Sequence, residues 1–292
     1  MTEFNFHSTA EDVTEGLDLK GQKWLVTGCN SGLGLETIRV LAMRGAHIIA
    51  AARTKEKAQN TLENLNIDGT PVACELADLD SVQGAVSFIQ NEDITLQGII
   101  ANAGIMALPT LQQRNGIELQ FFTNHIGHFL LVTKLCDNLS DDGRVVVLSS
   151  GAHYYASESG LELDNLSGEK DYNDWRMYGR SKLANILFAN ALQKRFEGSN
   201  RTANSVHPGV IRTNLARHVL NAEEMFENIQ KSVTIKNVAQ GAATQCLVAT
   251  RPELNEVGGK YFSDCQISKT ASVARNDSLA EELWNISLEI TS

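Results

Sequence analysis

From Gln22 onward, short β-branched apolar runs alternate with longer stretches of helical period, and this alternation constrains the fold more than any other feature. Strands buried on both faces read as continuous apolar runs, and two parallel neighbours need a crossover between them, usually a helix. Strand candidates are KWLVTG (23–28), AHIIAAA (46–52), TPVACEL (70–76), LQGIIANAG (96–104), GRVVVLSS (143–150), TANSVHPG (202–209) and GGKYFSD (258–264). Helical stretches fall near 33–44, 54–66, 79–91, 112–139, 175–198 and 237–250, with Thr54 and Asn237 as N-caps. The expectation is an α/β fold: one doubly wound, seven-stranded parallel sheet with helices on both faces. It occupies a single domain over residues 21–292, preceded by a polar arm at 1–20.

Residues 153–174 and 212–236 break the rhythm and carry no strong period. Both follow strand C-termini, the edge at which an open α/β sheet binds ligands, so they are read as substrate walls. The outer part of each reads equally well as a surface insertion.

Composition removes several classes of function. With 42% hydrophobic and 21% charged residues the chain fills a core, which excludes wholesale disorder. A net charge of −10 repels polyanions, so no nucleic-acid partner is expected and any phosphate site must be local. The five cysteines (29, 74, 136, 246, 265) are scattered and form no CxxC, which suits reduced thiols better than disulfides or zinc. No export signal or membrane span is visible, and a cytoplasmic address is expected by default.

The turn Thr27-Gly28-Cys29-Asn30-Ser31-Gly32-Leu33-Gly34 lies between the first strand and the first helix of the sheet. Gly28 and Gly32 permit tight geometry and close approach to a pyrophosphate, Gly34 lets helix and strand pack closely, and the helix N-terminus is electropositive. At the end of the second strand, where an acid would hold a ribose 2′-hydroxyl, the sequence reads Ala50-Ala51-Ala52-Arg53. Arg53 offers a planar guanidinium to a 2′-phosphate and Ser31 a hydroxyl, which favours NADP(H). NAD(H) remains the rival cofactor, and a solvated Arg53 the bland alternative.

Tyr178 and Lys182 stand four apart in a helical stretch and share a face. A phenol is a poor proton shuttle at neutral pH unless a nearby ammonium stabilises the phenolate, which makes Tyr178 the candidate acid/base. Ser149-Ser150 closes one strand and Asn102-Ala103-Gly104 another, both at the same sheet edge. Ser150 is placed to hydrogen-bond a substrate carbonyl. Asn124, within the 112–139 stretch, suits a water or backbone role near Lys182, although alone it reads as an ordinary helix amide.

Together these residues resemble the short-chain dehydrogenase/reductase superfamily, over roughly residues 20–265. TGCNSGLG is similar to its TGxxxGxG, ANAG to its NNAG, YGRSK to its YxxxK and HPGVIRT to its PG motif. NHIGHFLL, SKLANILFANAL, SVHPGVIRTNL and GGKYFSDC resemble more narrowly the retinol dehydrogenase and WW-domain oxidoreductase subgroup. The resemblance implies a Rossmann-type fold and a catalytic tetrad of Asn124, Ser150, Tyr178 and Lys182. In it Lys182 also holds the nicotinamide ribose, and Asn124 positions a water that relays protons to Lys182. It implies further that Gly28, Asn30, Ser31, Gly32, Leu33 and Gly34 cradle the cofactor phosphates and that Asn102, Ala103 and Gly104 flank the cofactor. Glu75 and Leu76 would line the adenine pocket, and Pro208, Gly209, Val210 and Thr213 the nicotinamide end.

Glu75 stands where the family usually has Asp, and the 28-residue spacing from Ser150 to Tyr178 is long, its excess falling in the 153–174 segment. That segment is therefore expected to roof the pocket, with Met106, Leu108, His153 and Tyr154 shaping it. The implied activity is NADP(H)-dependent hydride transfer to or from an apolar aldehyde, ketone or secondary alcohol, that is, a carbonyl reductase or alcohol dehydrogenase. The alternative from another class is a nucleotide-binding regulator or scaffold with little turnover. Subgroup members often carry an N-terminal membrane anchor, and none is visible here. The resemblance implies a homodimer or homotetramer through the 112–139 and 175–198 stripes, unless those stripes face the sheet.

Overall fold

The computed structural model describes residues 3–156 and 160–292; positions 1–2 of the expected arm and 157–159 of the expected pocket roof lie outside the described residues. In chain order the elements are α1 (Ala10–Thr14), β1 (Lys23–Thr27), α2 (Gly32–Met43), β2 (His47–Ala52), α3 (Lys55–Leu65), β3 (Gly69–Ala73), α4 (Leu79–Asn91) and β4 (Leu96–Ala101). There follow β5 (Gln113–Arg114), β6 (Ile117–Glu118), α5 (Leu119–Phe121), a π-turn (Phe122–Ile126), α6 (Gly127–Lys134) and β7 (Leu139–Leu148). The remainder is α7 (Asp174–Arg195), β8 (Thr202–His207), α8 (Ala222–Gln230), α9 (Val238–Thr250), β9 (Tyr261–Ser263), β10 (Gln266–Ile267) and α10 (Asp277–Thr291). The two expected caps are made: Thr54 accepts from Lys57 N, and Asn237 accepts from Gln240 N in a reciprocal capping box.

The main sheet runs β10-β9-β8-β7-β4-β1-β2-β3. Strand order reverses between β1 and β4, and a crevice opens there at the strand C-termini. One hydrophobic layer, with Phe122, Phe129, Leu187 and Trp284, fills the face covered by α4, α6, α7 and α10. The other, with Trp24, Ile38, Ile48 and Leu247, lies beneath α1, α2 and α9. Among the described residues no helix is long and apolar enough to cross a membrane.

The structure corrects the sequence reading in three places. The sheet has eight strands rather than seven and is mixed, because β10 folds back antiparallel on β9. The turn between them is Asp264-Cys265, both with positive φ (53° and 61°), where the usual hairpin pair is Asn-Gly or Asp-Gly. The 112–139 helix starts only at Leu119, because Asn115 and Gly116 (φ 51° and 75°) close the small β5–β6 hairpin first.

The polar arm, thirdly, is part of the packed body. Ala10 and Val13 are fully buried, Thr9 and Asp12 form a capping box at the start of α1, and Arg251 donates to Val13 O at 2.6 Å. The polar average of 1–20 hides an apolar face built from Ala10, Val13 and Leu19, the last 3% exposed. Leu19→Ala should therefore cost about 2–5 kcal/mol, the range for truncating a buried leucine. Urea unfolding with unchanged slope checks it, and an undiminished midpoint would mean that the arm contributes nothing to the core.

Candidate active site

β1 delivers its last residue, Thr27, to the crevice, and the backbone then turns through Gly28 (φ 66°) and Gly32 (φ 55°) into α2. A Cβ at Gly28 would lie 2.9 Å from Ala103 Cα, and one at Gly34 would collide with the Gly28 carbonyl oxygen. These contacts leave no room for side chains, so the phosphate loop lies directly against the end of β4. Ser31 occupies the N-cap of α2 without a side-chain capping bond, which leaves the first-turn N–H groups free for an anion.

Asn102 anchors the other side of the loop, its Nδ2 donating to Thr27 O at 2.8 Å. The Thr27 hydroxyl accepts from the N–H groups of Asn102 and Ala103, both at 3.0 Å, and must therefore donate its own proton to His128 Nε2 at 2.8 Å. The opposite ring nitrogen, Nδ1, carries the histidine's proton and donates to Asn124 O at 3.0 Å. Burial holds His128 down at about 4, so the ring is neutral.

Asn124 lies in the π-turn. Its Oδ1 accepts from Ile105 N, and its Nδ2 donates to Ile105 O and Ser181 Oγ, each at 2.9 Å. Just past the end of β7, Ser150 accepts from Ala152 N at 3.1 Å and lines the cleft together with Tyr178. The Lys182 Nζ donates to Leu148 O at 3.1 Å and stands 5.6 Å from the centre of the Tyr178 ring. Gly104 faces both Asn124 Oδ1 and Lys182 Nζ, since a Cβ there would lie 3.1 and 3.6 Å from them. The four tetrad candidates are thus brought together.

A cleft of about 930 Å³ runs past them. Gly28, Asn30, Ser31, Gly32, Leu33, Arg53, Glu75, Leu76, Asn102, Ala103 and Gly104 line it, as do Pro208, Gly209, Val210 and Thr213. Gly34 and Asn124 sit behind this lining and support it. Beyond Tyr178 the wall is apolar, with Met106, Leu108, Trp175, Leu215, Met225 and Phe226. The 212–236 segment thus walls the cleft, through the turn Asn214–His218 and α8.

His153 and Tyr154 do not line it. Gly151–Tyr155 is a 3₁₀ turn, in which side chains three apart point the same way, so Ala152 and Tyr155 face the cleft while the two between them turn away. His153 is fully buried as a strut from Ser150 O (2.7 Å) to Ala271 N (3.1 Å), and Tyr154 is 56% exposed, donating to Lys269 O. Residues 160–174 pack largely elsewhere: Leu161 joins the core, Arg180 holds Asn165 O, and Tyr172 donates to Leu108 O. Sequence reasoning also missed His128, Thr123, Tyr155, Trp175, Arg217 and His218. The spacing of His128 four after Asn124 was a readable signal for the first, whereas the others depend on loop geometry.

A nicotinamide dinucleotide fits this lining. The glycine cradle would be filled by any Cβ, and among the described residues the buried Thr123 Oγ1 on the cleft wall has no hydrogen-bond partner.

The comparisons with known proteins agree. The profile of the family described as short chain dehydrogenase matches residues 22–161. The chain is 42% identical to the Brassica napus protein named short-chain dehydrogenase TIC 32 A, chloroplastic, over 97% of this chain and 92% of that one. Human retinol dehydrogenase 14 is 36% identical, over 92% of this chain and 86% of its own. A crystal structure of a putative uncharacterized protein from Mycobacterium Paratuberculosis superposes with a TM-score of 0.77 at 30% identity, covering 96% of each chain. The chain belongs to the short-chain dehydrogenase/reductase family.

Within that family it falls beside the retinol dehydrogenases, and it is an oxidoreductase. In this short-chain dehydrogenase burial dominates the Tyr178–Lys182 pair. It pushes the Tyr178 phenol up to about 12, against the opposing hydrogen bond from Ser150, and draws the Lys182 ammonium down to about 8. Burial and the Ser150 hydrogen bond move the phenol, and the expected pull of the lysine is not among the causes. The unfolded chain holds the lysine proton up to the ordinary range, so stability rises with pH from about 8 upward as the cost of a buried charge is relieved. With ¹³Cε-labelled lysine, one resonance should titrate near pH 8 and disappear in Lys182→Met. A protein in which every lysine titrates in the ordinary range contradicts this.

Proposed function

We propose that the chain is an NADP(H)-dependent carbonyl reductase or alcohol dehydrogenase acting on an apolar aldehyde, ketone or alcohol. The observation that carries the reading is the convergence of Ser150, Tyr178 and Lys182 between the glycine cradle and the apolar wall of one cleft. The nicotinamide supplies or accepts the hydride when bound.

Ser150 holds the substrate oxygen at Tyr178. The phenol gives its proton to the developing alkoxide, or takes it from the alcohol in reverse. Lys182 stabilises the resulting phenolate, and Asn124 keeps the Gly104–Ile105 backbone, and with it the cofactor wall, at a fixed distance from Lys182. A pair that holds two protons below about pH 8 and one above it suits reduction on the acid side and oxidation on the alkaline side.

Two features support the finer assignments. Arg53 lines the cleft at the end of β2, with no carboxylate on that strand end to hold a ribose hydroxyl, which supports NADP(H) over NAD(H). Across the cleft, Met106, Leu108, Trp175, Leu215, Met225 and Phe226 carry no charge. That surface would take a substrate such as the retinol named for the human relative more readily than a sugar or a hydroxy acid.

The test is NADPH and NADH oxidation against aldehydes and ketones of graded chain length, with alcohol oxidation in reverse. Tyr178→Phe should lower kcat by about 10²–10⁴-fold, the usual contribution of a positioned acid, while NADPH binding persists. Long apolar carbonyls should outperform short polar ones. Undiminished turnover in Tyr178→Phe overturns the acid/base role, and a preference for NADH overturns the cofactor assignment.

A further inference from the structure

The turn Asn214–His218 faces two ways. Leu215 and Ala216 belong to the apolar wall, packed with Phe226 and Met225, whereas Arg217 and His218 line the cleft together with Arg53. Thr213 caps the turn by accepting from Leu215 N, and it borders the phosphate loop: a Cβ at Gly32 would lie 3.5 Å from it. One short segment therefore touches the phosphate loop, the basic end of the cleft and the substrate wall.

The charges at that basic end are unbalanced. Among the described residues neither Arg53 nor Arg217 has a carboxylate partner, although nearby Arg212 is paired with Glu223. Arg217 donates to the carbonyl of Asn214 at 3.0 Å, a bond that leaves its charge uncompensated. Burial and then the repulsion of Arg53 hold the Arg217 guanidinium below its ordinary range. His218 is lowered by burial and then by Arg217 and Arg53. In a chain of net charge −10, two guanidiniums that repel one another, beside an imidazole whose proton they disfavour, are stabilised by a compact polyanion bound between them.

We propose that Arg217 and His218 complete, opposite Arg53, a site for the 2′-phosphate of NADP(H), and that the bound phosphate ties the substrate wall of residues 214–230 to the sheet. This rests on the NADP(H) reading above and adds a second, movable side to it. The phosphate then does more than select the cofactor. It draws in the wall that shapes the substrate site, so phosphorylated cofactor and apolar substrate favour each other's binding.

The experiment compares adenosine 2′,5′-bisphosphate with adenosine 5′-monophosphate, two probes that differ by the 2′-phosphate, by calorimetry and by amide hydrogen exchange. The wild-type protein should bind the bisphosphate at least tenfold more tightly, with slowed exchange over residues 214–230 that the monophosphate does not produce. Arg217→Gln should weaken bisphosphate binding by about tenfold to a hundredfold, as expected for one charge-assisted hydrogen bond, and abolish the slowed exchange. Monophosphate binding should be unchanged, and Lys134→Gln, a charge loss at the exposed end of α6 away from the cleft, should alter neither probe.

If Arg217→Gln keeps both the preference and the protection while Arg53→Gln loses the preference, the proposal falls and the NADP(H) reading stands. If the wild-type protein shows no preference for the bisphosphate, the cofactor reading falls as well. Equal protection of 214–230 by both probes overturns the tie to the wall.

Discussion

The Thr27 hydroxyl is the interaction on which the site depends. It accepts from two consecutive backbone N–H groups at the end of β4 and donates to a histidine in α6, so three elements distant in sequence meet at one oxygen. The strand that starts the phosphate loop, the strand that walls the cofactor and the helix that carries Asn124 are thereby fixed to each other. A hydroxyl can do this because it is both donor and acceptor, and at 2% exposure water does not compete for it. Valine at this position would fill the space but take away the acceptor of the Ala103 N–H and the partner of the His128 Nε2, leaving the Asn102 N–H only its bond to the Ile100 carbonyl.

The π-turn takes part in the same chain of bonds. The Asn124 carbonyl accepts from the His128 side chain, and the Asn124 amide reaches across to the Ile105 backbone. The wider turn from Phe122 to Ile126 gives the side chain that reach. The phosphate loop and Asn124 are therefore joined by one chain of hydrogen bonds. Neutral, buried His128 is its middle link, and protonating it would place a second buried positive charge near Lys182.

Strand positions and glycine geometry were legible because each is dictated locally. The seven parallel strands appeared as apolar runs, Gly28 and Gly34 stood where any Cβ collides, and Tyr178 and Lys182 were fixed by helical spacing. What escaped depends on contacts between distant segments or on turn chemistry that a helical pattern concealed. The β5–β6 hairpin was announced by Asn115-Gly116 but lay at the head of a long amphipathic stretch, which drew the helix too far back. His153 and Tyr154 were misplaced because a 3₁₀ turn rotates side chains by a third of a circle, so a shift of one residue decides whether a ring faces the cleft. The arm escaped because its burial comes from α9, more than 200 residues away.

The apolar wall and the proposed acid/base share a residue. Tyr178 packs in the small cluster that contains Met106, Ala216 and Phe226, so the side chains shaping the substrate pocket are also those that strip water from the phenol. Burial is the main cause of its raised proton affinity, which makes the closeness of this wall a determinant of how firmly Tyr178 holds its proton. A loosened wall would admit bulkier substrates and also rehydrate the phenol, lowering its pKa. Substrate range and pH response are therefore coupled through one set of contacts. A change to Phe226, remote from the reacting atoms in sequence, acts on both at once, whereas a change confined to the glycine cradle acts on neither.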